Sequence, residues 1–160
     1  MLKYLNTAIT FREIPDEVSL CINITNCPNH CSGCHSPELW EDKGTVLTED
    51  TIDGLVDLNY GISCICLMGG DQDPQSILKL GKVIRQNGLK AAWYSGRENL
   101  ALQEMLEVFN YIKLGRFVEI LGGLDNPETN QRLYKIFSPN YIKQYSFQEK
   151  TWNNIEEFKY

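Results

Sequence analysis

Residues 18–40 read VSLCINITNCPNHCSGCHSPELW. The first eight alternate in polarity, so that Leu20, Ile22 and Ile24 fall on one face of a strand and Cys21 on the other. This strand runs directly into a loop carrying Cys27, Cys31 and Cys34 in the spacing C-x-x-x-C-x-x-C. A cubane iron–sulfur cluster is held by cysteine thiolates and normally takes four. A loop at about residues 26–35 that offers three leaves one iron open to a further ligand. Scattering six cysteines at random over 160 positions would produce roughly 0.008 such triplets. The spacing therefore carries information. Zinc is the alternative reading of the same residues, because it accepts three cysteines and a histidine and both histidines of the chain, His30 and His35, fall in this segment. Against zinc, a second C-x-x-C or H-x-x-x-H knuckle is missing from the sequence.

Working outward, strands alternate with helices. A helix is expected from the cap Thr48 through Ile52, Leu55 and Val56 to Gly61, with Glu49 and Asp50 in its first turn. A second strand over 62–68 ends in Gly69-Gly70-Asp71. The following helix is capped by Asp73, starts on Pro74 and stops at Asn87-Gly88. A third strand over 89–94 ends in Ser95-Gly96, a helix is expected over about 98–109, and a fourth strand over 111–114 carries Lys113 and gives way to Gly115. The run GRFVEILGGLDNPETNQRLYKIF reads as a long loop with a short helix after Pro127, and YIKQYSFQ as a last strand. Cys21, Cys64 and Cys66 lie on expected strands, where a free cysteine serves as a small buried hydrophobe.

Every expected strand thus ends in a loop with unusual residues, and in parallel sheets and β/α barrels ligands bind at the carboxyl ends of the strands. A full eight-unit barrel takes around 250 residues. At 160 residues the expectation is an α/β protein, a shortened and laterally open (β/α) barrel of parallel strands with outer helices, forming a single domain over residues 1–160. A net charge of −6 argues against a nucleic-acid partner, and no apolar run is long enough to span a membrane. The opening MLKYLNTAITFREIPDE lacks the basic and apolar regions of a signal peptide, and six cysteines are too few for a disulfide scaffold. The expected compartment is the cytoplasm.

The cysteine loop resembles that of the radical S-adenosylmethionine enzymes. The extended run CPNHCSGCHSPELW, with Gly69-Gly70-Asp71, Tyr94-Ser95-Gly96 and LGGLDNPETNQRLYKI, is similar to the anaerobic ribonucleoside-triphosphate reductase activating proteins. The likeness covers nearly the whole chain. It implies a radical S-adenosylmethionine barrel in which a [4Fe-4S] cluster on Cys27, Cys31 and Cys34 passes one electron to S-adenosylmethionine. The resulting 5′-deoxyadenosyl radical takes hydrogen from a glycine of the partner reductase. By the same resemblance Gly33, Cys34 and His35 line the cofactor through backbone contacts, and Gly69, Gly70 and Asp71 stand where a Gly-Gly-Glu-type motif accepts its amino group. Ser95 and Lys113 complete the site, and a flavodoxin or ferredoxin supplies the electron. Here Gly33 stands where many of these enzymes have an aromatic residue, Asp71 replaces Glu, and Asn110 sits where related activators often carry an acid. Activation of another glycyl-radical enzyme, small-molecule radical chemistry and a structural zinc module are the other functions the sequence leaves open.

Overall fold

In the computed structural model, which describes residues 1–158 and 160, nine strands form one sheet. The strands are β1 Lys3–Thr10, β2 Ser19–Ile24, β3 Thr45–Val46, β4 Cys64–Met68, β5 Lys90–Tyr94, β6 Tyr111–Leu114, β7 Arg132–Ser138, β8 Tyr141–Ser146 and β9 Thr151–Asn154. Their order is β3-β1-β2-β4-β5-β6-β7-β8-β9. Only β2, β4, β5 and β6 pair parallel; β1 and β3 on one side and β7, β8 and β9 on the other pair antiparallel. The sheet ends on β3 and β9, so strand pairing does not close it.

This overturns the expected barrel of parallel strands and outer helices. A parallel neighbour needs a crossover of a dozen or more residues, usually a helix, and after β6 the chain provides none. Gly122-Gly123 and Pro127 interrupt the connection, and the chain returns as β7 with Leu114 opposite Arg132, so the short helix expected after Pro127 gives way to turns and a strand. Strands β1, β3 and β9 were not expected either. The helix expected over 98–109 contracts to α3, Met105–Val108. Its first half is held as a loop, because Arg97 N–H donates to Ser95 Oγ (3.0 Å), its guanidinium to the Asp71 carbonyl (3.2 Å), and its own carbonyl accepts from Gly115 N–H (2.7 Å).

The other two helices start at their expected caps. In α1, Glu49–Leu58, Thr48 and Thr51 form a reciprocal capping box; in α2, Pro74–Gln86, the Asp73 carboxylate accepts from Ser76 N–H at 3.0 Å. Both bury their apolar stripes, Ile52 from α1 and Ile77, Leu80 and Ile84 from α2, against Leu20, Ile22, Ile65, Leu67 and Trp93 of the sheet. Burying each such side chain contributes about 1.5–3 kcal/mol.

The opposite sheet face forms a smaller core of Ile14, Cys21, Cys64, Cys66, Ala92, Tyr111 and Leu133. Cys21 pairs with Cys66 across β2 and β4. Burial, with the Glu17 charge second, pushes the Cys64 thiol up to about 12, and burial pushes Cys66 upward as well. Thiols that stay protonated are inert packing groups rather than ready metal ligands.

Beside them lies a buried carboxylate. Glu17 accepts from Ser63 Oγ (2.6 Å) and Tyr111 OH (2.6 Å) and is paired with Lys90. Burial pushes its carboxyl pKa upward, but the hydrogen bonds from Lys90, Ser63 and Tyr111 outweigh this and leave it below the ordinary value. A depressed carboxyl contributes stability above its unfolded pKa, about 4.3 for Glu, and loses it as pH falls through the lower folded value. Replacing Glu17 with Ala is expected to cost about 2–4 kcal/mol at neutral pH, since the buried Tyr111 and half-buried Ser63 hydroxyls lose an ionised acceptor while the half-exposed Lys90 adds little. Urea unfolding at pH 7 and pH 3 should show the difference between wild type and variant shrinking in acid.

Candidate metal centre

The cysteine loop leaves β2 and folds back on itself before β3. Asn26 N–H donates to the Glu41 carbonyl and Cys27 N–H to the Leu39 carbonyl, both at 3.0 Å, while Thr25 Oγ1 donates to the Lys43 carbonyl at 2.6 Å. A 3-10 turn, Pro37–Trp40, lies in the returning arm. Left-handed backbone at Asn26 (φ 60°), His30 (φ 42°) and Gly33 (φ 72°) bends the intervening chain. At Gly33 a side chain would also meet Glu119, whose Cδ lies 2.8 Å from where a Cβ would stand.

Cys27, Cys31 and Cys34 all line one cavity of about 210 Å³ at the carboxyl ends of β2, β4, β5 and β6. Gly69, Asp71, Ser95 and Lys113 line it too, whereas three residues proposed from the resemblance do not. Gly33 abuts Glu119; His35 packs on Phe117 with ring centroids 5.1 Å apart; a side chain at Gly70 would point into Ile77 and Ile24. The cavity wall adds Asn29, Trp40, Tyr94 and Gln131, none of them singled out as site residues from the sequence. For Tyr94 a signal existed: Trp93 and Tyr94 must face opposite ways on a strand. Trp93 enters the large core, and Tyr94 faces the cavity. Gln131 falls within the run LGGLDNPETNQRLYKI, and apart from that resemblance nothing in the sequence marks it.

Asp71 is the hub of the polar wall and is nearly fully buried, at 4 % exposure. Oδ1 accepts from Ser95 Oγ at 2.6 Å; Oδ2 accepts from Gly96 N–H at 2.8 Å and Asn29 Nδ2 at 2.6 Å. A carboxylate has about four acceptor positions, so three are already used within the protein. The glycine carbonyls before it are engaged as well: Gly69 accepts from Trp93 Nε1 at 2.8 Å and Gly70 from Asp73 N–H at 3.0 Å. Lys113, buried near the end of β6, donates to the carbonyls of Gly115 (2.7 Å) and Ser95 (3.4 Å). Burial pulls its pKa down to about 8, against the pull of Asp71 in the other direction. An ammonium has three hydrogens, and one remains for a ligand.

The donor set suits a cluster better than a single ion. Four-coordinate zinc with bonds of about 2.3 Å needs its sulfurs only about 3.8 Å apart. Among the described residues, no three His, Cys, Asp or Glu side chains are grouped closely enough to hold one metal ion. His30 instead stacks on Trp40, with centroids 5.0 Å apart and planes within 10°. Two thiols receive N–H donors of the kind that cluster sulfurs accept: Ser36 N–H to Cys34 Sγ at 3.4 Å and Asn29 Nδ2 to Cys27 Sγ at 3.8 Å. Trp40 Nε1 is buried without a partner, as a site shaped around a missing acceptor would leave it.

Residues 18–142 match the 4Fe-4S single cluster domain family, and the chain belongs to that family. No curated protein and no solved structure matches it. The match spans the cysteine loop, the four parallel strands and the cavity they support. An iron–sulfur cluster is therefore the group this family carries, and Cys27, Cys31 and Cys34 are the residues here that would hold it. Among the described residues, no helix is long and apolar enough to cross a membrane.

Proposed function

We propose that this chain is a radical S-adenosylmethionine enzyme that activates an anaerobic (class III) ribonucleotide reductase by forming a glycyl radical on it. The observation that carries the reading is the meeting, in one cavity, of three cysteines with the strand-end residues Gly69, Asp71, Ser95 and Lys113. The similarity of the cysteine loop and of LGGLDNPETNQRLYKI to the reductase activating proteins supports the choice of partner. When bound, the reduced cluster supplies the electron that splits S-adenosylmethionine into methionine and the radical that takes hydrogen from the partner's glycine.

The chain's own residues bind and orient. Three cysteines leave one iron for the amino and carboxylate groups of the methionine moiety. Lys113 lines the cavity with one N–H beyond its two carbonyl acceptors, and a carboxylate would be the natural partner for it. Gly69 and Asp71 both line the cavity, and the acceptor position that each has beyond its internal bonds would serve the ammonium. The chain works as a single cytoplasmic domain with a flavodoxin or ferredoxin as electron donor.

Replacing Lys113 with Met should weaken S-adenosylmethionine binding about tenfold, or about 1.4 kcal/mol, without changing iron content. Equilibrium binding to the reconstituted variant checks this; unchanged affinity would remove Lys113 from the site. The function itself is tested by anaerobic reconstitution, then incubation with reductant, S-adenosylmethionine and the purified reductase. A doublet glycyl-radical signal on the reductase is expected. Cofactor cleavage without that radical would transfer the assignment to another glycyl-radical partner or a small-molecule substrate.

A further inference from the structure

Asn29 lies between the first two cysteines of the triplet, and its amide joins two systems. One Nδ2 hydrogen goes to Asp71 Oδ2 at 2.6 Å and Nδ2 lies 3.8 Å from Cys27 Sγ. The orientation of this amide follows from chemistry: an ionised carboxylate only accepts, so the group facing Asp71 must be the NH₂ and not the oxygen. Asp71 is itself fixed by Ser95 Oγ and Gly96 N–H. Gly96 also gives Asn29 its space, because a Cβ there would stand 2.3 Å from Asn29 Nδ2 and 2.9 Å from its Cγ. No positive φ requires glycine at 96. The absence of a side chain at this position thus serves the Asn29 amide.

We propose that Asn29, held by Asp71 and seated over Gly96, sets the reduction potential of the cluster by donating an N–H to the Cys27 thiolate. Hydrogen bonds to cluster sulfurs are one of the levers on potential. A donor stabilises whichever state carries more negative charge on sulfur, and that is the reduced state. Asn29 makes the cluster easier to reduce, and Asp71 acts through it as a positioning residue. The Ser36 N–H to Cys34 Sγ comes from the backbone and cannot be removed by a side-chain change. Asn29 is therefore the adjustable donor of the pair. The inference rests on the triplet holding a cluster and is independent of the partner protein.

The test is a redox titration of the anaerobically reconstituted protein, followed by the electron paramagnetic resonance signal of the reduced cluster, with iron counted in each sample. Asn29→Leu keeps the size of the side chain and removes the donor. The ratio of reduced to oxidised cluster at a fixed ambient potential should fall about tenfold, which is a downward shift of about 59 mV for a one-electron couple. Gly96→Ala, which alters no group at the cluster, should shift the potential in the same direction by pushing the amide away. Combined with Asn29→Leu it should add nothing, because both changes remove one contact. If Asn29→Leu takes up too little iron to titrate, Gly96→Ala alone decides. A midpoint unchanged in a fully loaded variant, or a Gly96→Ala shift that adds in full to that of Asn29→Leu, would overturn the proposal. Wild type that binds no iron would overturn the cluster reading beneath it.

Discussion

Replacing any one of Cys27, Cys31 or Cys34 with Ser is expected to lower the iron content of the reconstituted protein from about four per chain to near zero. Each loses one of the three cysteines lining the cavity, and the carboxylate beside them, Asp71, is already committed to Ser95, Gly96 and Asn29. The formation of 5′-deoxyadenosine should vanish with the iron. The other three cysteines should behave in the opposite way. Cys21, Cys64 and Cys66 sit in the smaller core, and burial keeps the Cys64 and Cys66 thiols protonated. Changing all three to Ala should cost stability through lost contacts, on the order of 1 kcal/mol each. It should leave about four irons per chain in place. Iron lost from the core variant but kept in a loop variant would place the metal on the wrong side of the molecule; a fall from about eight irons to four in the core variant would reveal a second cluster there.

The second large effect is expected at Asp71. Asp71→Ala strips an acceptor from Ser95 Oγ, Gly96 N–H and Asn29 Nδ2 at once. Leaving such donors unpaired should cost about 2–4 kcal/mol of folding free energy. The sequence reading gives Asp71 two roles, supporting the turn at a helix start and, by the resemblance, meeting the ammonium of S-adenosylmethionine. With three of its acceptor positions already committed, its larger role is to tie the cysteine loop to the ends of β4 and β5. Cofactor affinity should therefore fall together with stability, while a cluster still assembles on the intact triplet. Asp71→Asn, which preserves shape and one acceptor, should be milder in both. Denaturant unfolding and cofactor binding on the two variants check this, and an Asp71→Ala protein of wild-type stability and affinity would contradict it.

How far the sequence disclosed all this depends on where apolar periodicity was clean. Strands β4, β5 and β6 each end in glycine or Ser-Gly, α1 and α2 around them have clear caps, and β2 alternates cleanly before the cysteine loop, so these four could be placed to within a residue or two. The cysteine spacing located the loop for a similar reason, since its chemistry depends on residue types at fixed intervals. The flanking strands gave no such signal. In β7 Leu133 enters the smaller core while Tyr134 and Ile136 enter the larger one, so apolar residues fall on both faces and alternation is lost. In β1 the exposed Leu5 and Ile9 share the strand with Asn6 and Thr7, which blurs the alternation. Extending the β/α rhythm past β6 produced the mistaken barrel. Gly33, His35 and Gly70 lie in the same loops as the cavity-lining residues but do not themselves line it, because a motif fixes position along the chain and the turn geometry decides which way each residue faces. Asn29 shows the converse. It sits inside the most informative loop of the sequence, yet its role depends on Asp71, which lies 42 positions away in the chain.

The central claim is that the triplet holds a [4Fe-4S] cluster with one iron open to S-adenosylmethionine within the cavity at the carboxyl ends of the parallel strands. The most direct measurement is the electron paramagnetic resonance spectrum of the reduced, reconstituted protein before and after S-adenosylmethionine is added. A cubane signal whose g-values change on addition, and which is absent in Cys31→Ser, is the predicted result. A cubane signal that saturating S-adenosylmethionine leaves unchanged would contradict it.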